Sequence, residues 1–354
     1  MAERPTINDV AREAGVSKAS VSAVLNHKPG VSDRTRARVE AVMERLNYRP
    51  SGHVLSRSPS GKRRSLGLII KEMDNPYYTE VATGALAEGR KHGYTVLVAS
   101  SEGDYEAEKE AVELMREQGV DGLIVTPVVD EHADLSHLFE LKRRNFPFVL
   151  LEEIRGVRAS LIDIENVEAS RRAVEHLIEG GHTRIVHFAG PEYSMHSRER
   201  VEGVYRAFSR SPQVFAEDAI VPTGAHLEDG YRAGLEHFRG RPAAERPTGV
   251  TCYNDLVAMG VMRALAELGI GVPGDVSVIG FDDLAIVDYL AVPLTSVHVP
   301  KHEMGRRATE ILIRHIEARE ALPPVKEYLA GELVLRASTR PLAAPAAGGA
   351  KRAR

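Results

Sequence analysis

The apolar residues change their spacing near residue 65. Before that point they recur at helical intervals. Ile7, Val10, Ala11 and Ala14 follow an i, i+3, i+4, i+7 pattern; Val21, Val24 and Leu25 make a second short stripe; Val39, Val42, Met43 and Leu46 repeat the first pattern. Such stripes predict three amphipathic helices packed on one another. Polar residues mark their ends. Thr6 and Asp9 have the spacing of a reciprocal cap, Gly15 supplies the left-handed residue that stops the first helix, and Ser17 and Ser32 start the second and third. A connection of about three residues containing a glycine, between the first two helices, predicts a helix-turn-helix.

Beyond residue 65, short apolar runs alternate with helical stretches. Runs at 66–70, 95–99, 122–125 and 148–151 are separated by helices predicted near 81–92 and 106–118. A second series has runs at 185–189, 249–253 and 276–281, with helices near 198–209, 229–238 and 256–268. Unbroken Val/Ile/Leu runs belong to strands buried on both faces, which predicts parallel sheets covered by helices. The fold class that follows is an all-α helix-turn-helix domain plus an α/β core of two Rossmann-like lobes. A cleft is expected between the lobes, beyond the carboxyl ends of the strands.

Charge separates the same two parts. Residues 1–64 carry a formal charge of +7 and the remainder −11, for a net −4. A basic module on an acidic body suits a polyanion. The second helix exposes Ser17, Lys18, Ala19, Ser20, Ser22 and Ala23, side chains small or flexible enough for a helix seated deep in a major groove. Lys28, Arg34, Arg36 and Arg38 are placed to take phosphates. The competing reading is a three-helix bundle with a solvated basic face.

Other classes find little support. No apolar run approaches the roughly 20 residues of a membrane span. The first residues hold no stretch of signal-peptide character, and Cys252 has no second cysteine to pair with, so the cytoplasm is the expected compartment. There is no nucleophile elbow, phosphate-binding loop or cysteine cluster, and Pro300 separates His298 from His302. No enzyme, metal or cofactor is therefore expected.

The run Ile7-Asn8-Asp9-Val10-Ala11-Arg12-Glu13-Ala14-Gly15-Val16-Ser17, then Val21-Ser22-Ala23-Val24-Leu25-Asn26, Val31 to Arg36, and Leu46-Asn47-Tyr48-Arg49-Pro50, resembles the start of the LacI/GalR family. In the body, Asn75-Pro76-Tyr77-Tyr78, Gly180 to Ile185, Tyr253-Asn254-Asp255, Val272 to Asp283 and Pro293 to Val297 extend the resemblance over about residues 6–340. It implies a periplasmic-binding-protein-like core and a repressor controlled by a small molecule, with a sugar as the usual effector and a purine-type corepressor as the rival. It also implies a homodimer on a pseudo-palindromic DNA operator. The implied domains are 1–50, a hinge at 51–64, a two-lobed core at 65–340 and a disordered tail at 341–354. Lobe 1 is expected at 65–163 and 293–325, and lobe 2 at 164–292 and 326–340, with three crossings between them.

The family's base-reading positions fall on Lys18, Ala19 and Ala23, with Thr6, Ser17, Ser22, Asn26, Arg34 and Tyr48 as further DNA contacts. Alanines donate nothing to base edges, so Lys18 carries most of the direct readout. The family's minor-groove leucine is replaced by Arg57, leaving either Leu55 in a shifted register or Arg57 itself as the groove residue. A flexible tether is the other reading. Effector positions fall on Asn75, Tyr78 and Glu152 in lobe 1 and on Arg198, Asn254 and Asp282 in lobe 2, with Tyr193, His196 and Glu153 beside them. Carboxylates that accept from adjacent hydroxyls, an arginine fork and a flat ring suit a polyol. Each also has a structural reading: Asn75 as a helix cap, Asp282 as a loop cap, Arg198 paired with a carboxylate, Glu152 solvated. Val299 stands where the family often has a polar contact. Two rivals share features of this design: an exported solute-binding protein, which would lack residues 1–64, and a sugar-processing enzyme fused to a helix-turn-helix.

Overall fold

The structure, a computed structural model, describes residues 6–25, 31–46, 64–129, 134–213, 215–318 and 320–342. It divides into an N-terminal unit up to Arg63 and a larger unit from Arg64.

In the first unit, α1 (Ile7–Glu13), α2 (Lys18–Leu25) and α3 (Asp33–Arg45) enclose a small core of Val10, Ala11, Ala14, Val21, Val24, Val39 and Val42. The predicted cap is present: the Asp9 amide donates to the Thr6 hydroxyl, and the Asp9 carboxylate accepts from the Thr6 amide at 2.9 Å. Gly15 has φ +59°, so the turn needs a residue without a Cβ penalty. Ser17 accepts from the Ser20 amide at 3.1 Å and starts α2. Arg45 pairs with Glu13 and ties α3 to α1.

The larger unit runs β1 (Ser65–Ile70), α4 (Pro76–Lys91), β2 (Thr95–Ser100), α5 (Tyr105–Glu117), β3 (Gly122–Val125), α6 (Ser136–Arg143), β4 (Phe148–Leu150), β5 (Ser160–Ile164), α7 (Asn166–Glu179), β6 (Ile185–Ala189), α8 (Met195–Ser209), β7 (Ile220–Pro222), α9 (Leu227–Phe238), β8 (Gly249–Cys252), α10 (Asp255–Glu267), β9 (Ser277–Asp282), β10 (Thr295–His298), α11 (Lys301–Glu317), β11 (Lys326–Leu329) and β12 (Glu332–Val334). Two six-stranded sheets result, ordered β11-β5-β4-β3-β1-β2 and β12-β10-β9-β8-β6-β7. All pairings are parallel except β10 with β12. No helix among the described residues is long and apolar enough to cross a membrane.

Strand pairing shifts two expected lobe boundaries. The segment from 293 is expected in lobe 1, but β10 pairs with β9, Thr295 opposite Ile279, and belongs to the second sheet. The segment from 326 is expected in lobe 2, but β11 pairs with β5, Lys326 opposite Leu161, and closes the edge of the first sheet. The crossings therefore lie at Glu165, at 299–300 and at 330–331. At the second of these, Pro300 ends the strand and starts α11, so the return to lobe 1 comes later than Pro293.

The crossings share one apolar core. It includes Leu68 and Ile162 of the first sheet, Ile279 and Val297 of the second, and Val299 and Met304 between them. Helices α4 and α11 approach backbone to backbone in lobe 1. A Cβ on Gly84 would lie 1.9 Å from the His302 carbonyl, and one on Gly305 would lie 1.9 Å from that of Val81. This contact fixes the start of α11 against α4.

Candidate functional site

In the N-terminal unit, the face of α2 turned away from the core is the candidate nucleic-acid interface. Ser17, Lys18 and Ala19 are exposed at its start, Ser22 and Ala23 are partly buried one turn on, and Arg34 is exposed at the start of α3. Thr6 is committed to its cap, its hydroxyl donating to Asp9 at 2.6 Å. Asn26, Tyr48, Leu55 and Arg57 lie outside the described residues, as do the hinge at 51–63 and the tail from 343.

In the larger unit, the carboxyl ends of both sheets face one another. From lobe 1 come Lys71 after β1, the start of α4, Glu152 after β4, and Asp163 on β5. From lobe 2 come the start of α8, Tyr253 after β8, and Asp282 at the end of β9.

Asn75 caps α4, accepting from the Tyr77 amide at 3.1 Å, with Pro76 in the first helical position. Tyr77 and Tyr78 follow this cap, their rings 5.1 Å apart and edge to face. Tyr77 packs on the shared core, its hydroxyl donating to Met304 Sδ at 3.5 Å, while Tyr78 lies near Tyr253, Glu152 and Asp282. Glu152 is buried and paired with Lys71 at 2.6 Å. It also meets the start of α8, where Ser194 donates at 3.5 Å and the Met195 amide contributes. Burial alone would raise the Glu152 carboxyl; Lys71, His196 and these donors outweigh it and hold the group at about 2. Glu152 is therefore an ionised bridge between the lobes, not a solvated acid. Its neighbour Glu153 faces outward and pairs with Lys326.

Helix α8 decides which arginine enters the cleft. Ser197, Arg200, Val204, Ala207 and Phe208 form its buried stripe. Arg198 lies off that stripe, exposed, its guanidinium donating to the Glu192 carbonyl at 2.6 Å. Arg200 is buried, stacked 3.6 Å above the Phe281 ring, and it donates to Asn166 at 3.0 Å and to the Tyr253 carbonyl. Of the two arginines, Arg200 and not Arg198 belongs to the buried cluster. Helical spacing from Val204 was the available signal. Tyr193 is 41% exposed, outside the buried cluster. His196 reaches across to Asp163 at 2.8 Å; burial would lower its pKa, but Asp163 and Glu152 outweigh this and raise it.

Asn254 is also a cap. It accepts from the Val257 amide at 2.8 Å and donates to the Ala225 carbonyl at 2.8 Å, which commits both ends of its amide. Asp282 differs. It is 4% exposed, and no hydrogen bond to its carboxylate is found among the described residues. Burial pushes it up to about 6, against the pull of Arg200, Lys301 and His196. Val299, at the position expected to contact effector, is fully buried in the shared core. No group of three metal-ligating side chains is present among the described residues.

Comparison with known proteins places this geometry. The family of bacterial regulatory proteins, lacI family, matches residues 6–51, and the periplasmic binding protein-like domain matches residues 174–339. The chain is 32% identical to the HTH-type transcriptional repressor PurR of Vibrio parahaemolyticus serotype O3:K6 (strain RIMD 2210633), over 95% of this chain and 99% of that one. Among solved structures, the lac repressor dimer bound to operator and the anti-inducer ONPF superposes with a TM-score of 0.74 at 26% identity, covering 96% of this chain and all of that one. A complex of the transcriptional regulator CelR with cellobiose gives 0.70 at 27% identity, covering 95% of this chain and all of that one.

Proposed function

The chain belongs to the LacI family of bacterial regulatory proteins, and from that premise we propose that its interlobe cleft takes a neutral sugar that changes the grip of the N-terminal module on its operator. Members of this family are DNA-binding transcriptional regulators under effector control, not enzymes. The choice of a sugar rests on one observation above all: the buried Asp282 carboxylate has acceptor capacity to spare beside a single guanidinium, Arg200. Hydroxyl donors on a polyol satisfy such an acceptor without bringing charge into a buried site. Tyr78, near Glu152, Tyr253 and Asp282, supplies a flat face for a ring. The other carboxylates are spoken for, Glu152 by Lys71 and Asp163 by His196. An anionic ligand would meet three acids here, which disfavours it. Cellobiose in the related CelR complex is in keeping with this chemistry.

The protein acts as a homodimer, one recognition helix per half-site, and effector binding shifts the population between two arrangements of the lobes. Isothermal titration with a panel of neutral mono- and disaccharides tests the cleft. One sugar should bind the native protein and fail to bind Asp282→Asn. A purine base or an organic anion binding where all sugars fail would overturn the proposal.

A further inference from the structure

Asp282 ends β9 and Asp283 follows it, with φ of +118° and +56°. Aspartate tolerates the second of these angles, but +118° lies outside the regions open to a residue with a Cβ and persists only where the surroundings impose it. The surroundings here include an amino group from the other lobe. Lys301, the first residue of α11, is 1% exposed, and its ammonium donates to the carbonyls of Asp282 at 2.5 Å, Asp283 at 3.1 Å and Val299 at 3.3 Å. Its three protons match three acceptors. Glu80 of α4 lies 3.6 Å away, its one carboxylate partner among the described residues.

We propose that Lys301 is a positioning residue for the effector cleft: from α11 in lobe 1 it holds the left-handed backbone at the end of β9 in lobe 2, and so fixes where the Asp282 carboxylate sits. The inference rests on the cleft reading above, since it gives a role to that same carboxylate. A buried ammonium serving only as filler would be a poor choice, because an apolar side chain of the same length fills the volume without a desolvation cost. What an apolar chain lacks is a donor for the Asp283 carbonyl and a second donor for the carbonyls of Asp282 and Val299, which also accept from the Val299 and Lys301 amides. The clamp spans the second lobe crossing, and the close contact of α4 with α11 ties it to the helix that carries Tyr77 and Tyr78. Lys301 therefore links ring-facing and hydroxyl-accepting groups of opposite lobes into one unit.

The test needs no effector. Asp282 is faced by Arg200 and His196 from α8, Tyr77, Tyr78 and Glu80 from α4, Asp255 from α10, and Lys301 from α11. In the full-length protein with carbon-13-labelled aspartate, the Asp282 signal is assigned by its loss in Asp282→Asn and followed with pH. The native midpoint is expected at about 6. In Lys301→Met it should rise by about one unit, because a facing positive charge is gone. If Lys301→Met does not fold, Lys301→Gln removes the charge, keeps one donor and permits the same comparison. The lost charge alone accounts for that rise, so position is read from the Asp282 Cα shift, which reports the backbone angles: it should move in Lys301→Met. A Cα shift unchanged in either folded variant would make Lys301 a structural plug and overturn the proposal, while leaving the cleft assignment intact. Failure of every sugar to bind would overturn the cleft reading and leave this titration standing.

Discussion

His226, the residue preceding α9 in lobe 2, meets Glu72, just after β1 in lobe 1, with nitrogen and oxygen 2.9 Å apart. The other ring nitrogen of His226 faces Asp229 at 3.3 Å. Partial burial would lower the pKa of this imidazole, but Glu72 and then Asp229 outweigh it and raise it. His196 with Asp163 makes a second bridge of the same kind, also with a raised imidazole. Both bridges join the lobes.

The lobes should therefore close with proton uptake. The stabilisation is fully present below the ordinary histidine pKa of about 6.5 and is lost as pH rises through the raised values. Fluorophores on α5 and α9 should sit closer at about pH 6 than at about pH 8.5. His226→Gln should remove part of the difference. An inter-lobe distance indifferent to pH in the native protein would contradict the bridges.

Arg200, not Arg198, should govern the effector response. Arg200→Ala removes charge-assisted hydrogen bonds worth about 1.5–3 kcal/mol each and should lower both stability and effector affinity. Arg198→Ala removes only a surface contact with Glu192 and should change neither by more than about 0.5 kcal/mol. Calorimetry with the cognate sugar, alongside urea denaturation, separates the two variants. The reverse ranking would restore Arg198 to the cleft.

Asn254→Ala should act through the fold. Losing the cap of α10 costs about 1–2 kcal/mol, and the Ala225 carbonyl loses its donor as well. The urea midpoint should fall while sugar affinity of the folded fraction holds. Unchanged stability with lost binding would make Asn254 a ligand contact after all.

These cases show what the residues disclosed. The helix-turn-helix was readable because its stripes and its caps at Thr6, Gly15 and Ser17 agree with one another. The strands buried on both faces were readable as apolar runs. Strand β11 was not: Lys326-Glu327-Tyr328-Leu329 lies at a sheet edge, alternates in exposure and carries two charges, so nothing in it signals a parallel strand. Position in a motif also proved a poor guide to side-chain direction. Asn75 and Asn254 stand where ligands are expected, yet their caps explain them locally. Two residues of α8 separate an exposed arginine from a buried one, and only helical phase tells them apart. Lys301 left no trace in the pattern, because its hydrogen bonds go to backbone carbonyls brought together by the lobe crossing.

In the N-terminal module, Lys18→Ala should weaken specific DNA binding by about 1–3 kcal/mol and relax the preference for cognate over unrelated sequence. Arg34→Ala should weaken both kinds of binding alike and flatten the salt dependence by about one unit of slope. Fluorescence anisotropy at several salt concentrations checks both. Equal effects of the two variants on cognate and unrelated DNA would contradict direct readout by Lys18.

That one small molecule in the interlobe cleft controls operator binding is tested by measuring how the purified protein binds DNA from its own upstream region with and without each sugar of the panel. Binding should be specific in low salt and in near-physiological salt, and altered by one sugar in the native protein but not in Asp282→Asn. Binding that is weak, steeply salt-dependent and indifferent to every sugar would contradict it.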